Sequence, residues 1–253
     1  MNVKKLAADL MIGAVIPVLV LKYGTKPMGE LNAYLVSALI PVVYVAGELV
    51  ITRKLNVITT FMGLQATVNG ILAFWFVSGW QYALKDSAAM AATFLLLAVS
   101  AVVGRPLVLS LLTQTFAYDR PAVAAGLRGF LRRPTIYRQV VTATWGMALI
   151  NLLLAGVNFY LNYVKVVAPF PSDDFNTQKA AVDTMTRTIF PVVSTGLTIW
   201  LFWAVISSML KHLPGDEKLH LEDRIDLLGN AAQAATPVAA APAPADTATK
   251  AAS

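Results

Sequence analysis

Apolar positions along this chain gather into long blocks instead of alternating or recurring at a fixed period. Six blocks stand out, at about 6–21, 31–51, 55–78, 87–104, 140–164 and 188–210. About 20 apolar residues in a helix cross the hydrocarbon core of a bilayer. The pattern therefore predicts an all-α polytopic membrane protein, a bundle of about six transmembrane helices filling residues 1–211. Between the fourth and fifth blocks lies a mixed segment, 106–138. Gly104 is placed to end one helix and Pro106 to begin the next, so Arg105 should mark a corner. Beyond it Ser110, Thr113 and Gln114 oppose Leu107, Leu111 and Leu112, as on a helix lying in the interface. The stretch RPAVAAGLRGFLRRPTIYR sets Leu127, Phe130 and Leu131 among arginines. It predicts a second interfacial helix on the cytoplasmic leaflet, with Arg128, Arg132 and Arg133 reaching anionic lipid headgroups. Residues 212–253 read as a cytoplasmic tail, and its Ala/Pro/Thr-rich part from about 231 is expected to be disordered.

Composition strengthens the membrane reading. Hydrophobic residues make up 57% of the 253 and charged residues 13%, with a mean hydropathy of +0.63, whereas soluble domains carry about a quarter charged residues. A net charge of +6 would suggest nucleic acid, but the basic residues flank the apolar blocks, so no nucleic-acid partner is expected. With both termini in the cytoplasm, 14 of the 20 lysines and arginines fall on that side, as the positive-inside rule requires. The segment PFPSDDFNTQ then becomes an acidic external loop. Lys4 and Lys5 precede the first block as in a signal peptide, but no small-x-small site follows, which predicts an uncleaved first helix. The absence of cysteine removes disulfides, thiolate metal sites and cysteine nucleophiles. No GxGxxG, P-loop, HExxH or GxSxG motif occurs. His212 and His220 fit a charged surface helix. Neither enzyme, cofactor nor metal site is expected.

Candidate chemistry comes from polar groups within the blocks, since ionisable residues at membrane depth are costly and mark function by default. Asp9, Glu48 and Arg105 should lie at similar depth on the cytoplasmic side. They form either a structural ion-pair lock between helices or a proton-titrating site in a carrier. Gln65 and Asn69 share one helix face, and Asn151, Asn158 and Asn162 form a stripe with Ala148 and Ala155. Such stripes pack helices together through interhelical hydrogen bonds or line a small polar cavity. The only internal echo, LIPVV at 39–43 against IFPVV at 189–193, does not generate inverted halves.

Three segments carry a resemblance. They are a first helix with an early aspartate and a later Ile-Pro (DLMIGAVIPVLVLKYGTKP), a second ending in glutamate before a basic pair (GELVITRKLNV), and a fourth ending in SAVVGRPL. Over residues 5–115 the chain resembles a family of bacterial multi-pass proteins similar to the intracellular septation protein A group. Asp9, Glu48, Arg105 and Pro106 are the matching positions, and no role is attached to them. The resemblance implies a bacterial inner-membrane location and a link to envelope synthesis or cell division, through envelope-assembly partners or a homo-oligomer. The competing expectation is a small-solute or ion carrier or channel using the intramembrane polar groups.

Overall fold

The computed structural model describes residues 11–52, 57–117, 120–216 and 219–234. Among them there are helices and no strands. A π-helical turn, Met11–Val15, leads into α1 (Ile16–Met28), followed by α2 (Glu30–Thr52), α3 (Val57–Ala73) and α4 (Gly79–Val102). Two short helices, α5 (Leu107–Ala117) and α6 (Pro121–Leu131), precede the long α7 (Pro134–Lys165) and α8 (Asp173–His212), and α9 (Leu221–Ala234) closes the described chain.

The protein is a membrane protein by the length and composition of its helices: α2, α4, α7 and α8, four of those described, are long and apolar enough to cross a bilayer. Six were expected, and the described residues do not confirm the other two. α3 has 17 residues and stops at Ala73, short of the predicted 78. α1 has 13, and the start of the predicted first span, residues 6–10 with Asp9, lies outside the described residues.

Helix starts also differ from the hydropathy blocks. α8 begins at Asp173, not near 188, because Ser172 caps it by accepting from the Phe175 amide at 3.1 Å and two aspartates occupy its first turn, where the helix dipole favours them. The expected acidic loop is therefore mostly helix. At 40 residues α8 is about 60 Å long, twice the ~30 Å hydrocarbon core. No charge occurs between Arg187 and Lys211, so that stretch alone has the length and composition to cross a bilayer.

The corner at Arg105 forms as the sequence predicts. Gly104 adopts φ 73°, its amide bonds to the Ala101 carbonyl at 3.2 Å, and the Arg105 amide reaches the Ser100 carbonyl at 2.9 Å. That pair of bonds is a Schellman stop, which needs a left-handed residue that glycine supplies without strain.

Six helices close a ring: α1 packs on α2, α2 on α3, α3 on α4, α4 on α7, α7 on α8, and α8 returns to α1. Two apolar clusters hold its ends. One gathers Leu21, Tyr34, Tyr82, Val166 and Phe175. The other gathers Leu112 of α5, Phe130 and Leu131 of α6, Val140 of α7, Met209 of α8 and Ile225 of α9.

This second cluster changes the account of the interfacial helices. Leu127, Phe130 and Leu131 are buried against protein, so the apolar face of α6 packs on neighbouring helices and α9 and is not offered to lipid. Thr113 is buried beside Leu112 instead of facing water. Arg128, Arg132 and Arg133 remain exposed. α6 and α9 approach through glycines: a Cβ on Gly126 would meet the Leu228 carbonyl oxygen at 2.3 Å, and one on Gly229 would meet Val123. Gly126→Val should therefore detach α9, at a cost of about 1–3 kcal/mol for overpacking. Limited proteolysis reads this as faster cleavage near residues 213–220. An unchanged cleavage rate would refute the close approach.

Candidate functional site

Three helices bring charged and amide side chains to one end of the ring. On α4, Tyr82, Lys85, Asp86 and Ala89 follow the i, i+3, i+4, i+7 spacing of a single face. On α7, Asn158 and Asn162 lie one turn apart, and on α8, Lys179, Asp183 and Arg187 are stacked at successive turns. Lys179 is 6% exposed and its Nζ sits between two carboxylates, 3.2 Å from Asp86 Oδ1 and 3.1 Å from Asp183 Oδ1. Arg187 adds a contact to Asp183 Oδ2 at 3.4 Å.

Asp86 is the hub. Its Oδ1 also accepts from the Tyr82 hydroxyl at 3.2 Å. Its Oδ2 accepts from the side-chain amides of Asn158 at 3.1 Å and Asn162 at 3.0 Å. Asn158 further donates to Ser87 Oγ at 3.1 Å. Burying ions costs several kcal/mol each unless they are paired and their remaining lone pairs satisfied. Here the Asp86 carboxylate receives four donors from three helices, which ties α4, α7 and α8 into one unit. A second polar tie sits nearby, where Asn176 donates to Thr25 Oγ1 at 3.2 Å and to the Glu30 carbonyl at 2.9 Å.

Lys85 is held differently. It is 4% exposed, donates to the Trp75 carbonyl, and lies 5.1 Å and 5.7 Å from the ring centres of Tyr34 and Tyr82. Among the described residues no carboxylate lies within ion-pair distance of it. The same rings join an aromatic cluster that closes this end of the bundle. Phe175 stands at its centre, 4.8 Å from Tyr82, 5.0 Å from Phe170 and 6.1 Å from Tyr34.

Beside these groups lies a cavity of about 390 Å³, ringed by α2, α3, α4, α7 and α8. That volume falls within the ~300–1,000 Å³ common for small-molecule sites. One wall carries Lys85, Asp86, Asn158, Lys179, Asp183 and Arg187. The facing wall of α2 is largely apolar, with Ala38, Pro41, Val42 and Val45, while α3 contributes Gln65 and Asn69.

The residues expected from the sequence are distributed unevenly. Gln65, Asn69 and Asn158 all line the cavity, and Gln65 donates to Thr93 Oγ1 at 2.9 Å. Asn151 turns back to its own helix, donating to the Met147 carbonyl at 2.9 Å, and takes no part. The Asp9–Glu48–Arg105 cluster is not assembled by the described residues. Arg105 is exposed at its corner and makes no ion pair among them, Glu48 is half-buried on α2, and Asp9 lies outside them. Of the charges that do converge, Lys85, Lys179 and Arg187 were legible only within the count of basic residues flanking apolar blocks, and Asp86 and Asp183 not at all. The i, i+4, i+8 register of Lys-Asp-Arg on α8 is the signal that finds them. No three His, Cys, Asp or Glu side chains among the described residues converge as metal ligands.

The chain matches no protein-family model, no curated protein and no solved structure. Function has to be argued from the site.

Proposed function

We propose that this chain is a carrier-type membrane protein that takes a small polar solute into the cavity between α2, α3, α4, α7 and α8. The observation that carries this reading is the cavity itself: a volume of about 390 Å³ walled on one side by five ionisable side chains. A network needed only to lock helices together has no need of an adjoining space, and ionisable groups at membrane depth mark solute pathways by default. Bilayer insertion with both termini cytoplasmic, in a bacterial inner membrane, belongs to the same proposal. It is supported by the distribution of lysine and arginine and leaves Arg128, Arg132 and Arg133 to meet anionic headgroups.

The absence of cysteine gives a labelling test without background. Asn69→Cys and Ala66→Cys on the cavity wall should react with a charged, membrane-impermeant thiosulfonate at least about tenfold faster than Val99→Cys, which is exposed on the outer face of α4. Equal, slow reaction at all three positions would mean a dry bundle and end the carrier reading. A role in envelope synthesis or division, non-enzymatic and acting through partners, stands second; it is supported by the resemblance over residues 5–115.

A further inference from the structure

The geometry points to a small organic oxyanion, a carboxylate or phosphate carried on a short apolar body, as the solute bound beside Lys85 and Tyr34. This assignment rests on the carrier reading above and names its ligand class. Both cavity carboxylates already face cations: Lys179 bridges Asp86 and Asp183 at 3.2 and 3.1 Å. Lys85 has a backbone carbonyl and two ring faces around it and no carboxylate among the described residues. A buried ammonium in that state is stabilised by any anion that reaches it.

Tyr34 supplies the second donor. It is 3% exposed and lines the cavity, yet its hydroxyl makes no hydrogen bond to protein among the described residues. The hydroxyl donor is thus free to meet an acceptor that enters the cavity. The Asn69 amide, also without a protein hydrogen bond among the described residues, lines the same space. An ammonium, a phenol and an amide beside one cavity make a donor set suited to an oxyanion. Ala38, Pro41, Val42 and Val45 opposite accept an apolar body. A cationic solute would have to displace Lys179 from its carboxylates.

The test is thermal melting of the purified full-length protein in detergent, followed by tryptophan fluorescence, with hexanoate, glycerol 3-phosphate, inorganic phosphate, hexylammonium or phosphatidylglycerol added. Hexanoate or glycerol 3-phosphate should raise the melting temperature in a saturable way and hexylammonium should not. Tyr34→Phe keeps the ring packing and should weaken the anion's apparent affinity about tenfold, the value of one hydrogen bond to a charged group. Lys85→Met should abolish the shift. A shift given by phosphatidylglycerol alone and lost in Lys85→Met upholds the oxyanion and assigns it to a lipid headgroup. Stabilisation by hexylammonium alone overturns the assignment, as does an anion effect of equal size in wild type and both variants. Rapid labelling of Asn69→Cys with no shift from any anion removes the oxyanion while leaving the solute cavity standing.

Discussion

Lys179→Met should be among the most damaging single substitutions in this protein, lowering stability by about 3–5 kcal/mol. Methionine fills much of the space of the lysine stem but carries no charge. Asp86 and Asp183, both lining the same cavity, would then lose the cation they share. Removing one partner of a buried ion group leaves an uncompensated charge, and that penalty exceeds the net worth of the pair. The combination Lys179→Met, Asp86→Asn, Asp183→Asn should recover much of the loss, because neutral amides have no such penalty and keep hydrogen-bonding capacity. Denaturant unfolding in detergent measures both variants. A triple variant no more stable than the single one would show that Lys179 acts through its packing and not through its charge.

Phe175→Ala is expected to cost a similar amount, about 3–5 kcal/mol. The ring is fully buried and stands edge-on to Tyr34, Tyr82 and Phe170, so its removal deletes apolar contact and leaves a void where the bundle is otherwise sealed. Phe175→Leu, nearer in volume, should cost markedly less. Tyr34 and Tyr82 also flank Lys85, so the void should loosen the cavity wall as well. Labelling of Asn69→Cys in the Phe175→Ala background should accelerate. Equal melting temperatures for Phe175→Ala and Phe175→Leu would contradict the packing argument.

How much of this was readable beforehand depended on which physical signal each element carries. Apolar blocks of bilayer length marked the cores of α2, α4, α7 and α8 directly. The Gly104–Pro106 corner was legible because a left-handed stop needs glycine and a first helical turn tolerates proline. The start of α8 was not, because residues 173–187 are polar by average hydropathy. Their burial follows a helical period instead, through Phe175, Lys179, Val182, Asp183 and Thr186. A helix that continues past the membrane edge against protein neighbours is invisible to a hydropathy window. The site suffered for the same reason. Lys85, Lys179 and Arg187 looked like charges marking the outer edge of spans, whereas α4 and α8 turn them inward on one face. Asn158 and Asn162 were recognisable as a stripe, but nothing local identified Asp86 as the group they serve, since that contact joins α4 and α7 across more than 70 positions. The apolar face of α6 shows the converse. Its amphipathic pattern was plain, while the identity of its cover, protein instead of lipid, depended on α5, α7, α8 and α9 folding over it.

The carrier proposal requires a water-filled, charge-walled cavity inside the ring of helices. Two methionines of the unmodified protein test it together. Met90 lines the cavity, whereas Met209 is fully buried in the apolar cluster at the opposite end. Radiolytic footprinting generates hydroxyl radicals from water next to the side chain, and thioethers oxidise readily to the sulfoxide. Met90 should oxidise at several times the rate of Met209 in detergent and in lipid nanodiscs alike. Equal protection of the two methionines would contradict it.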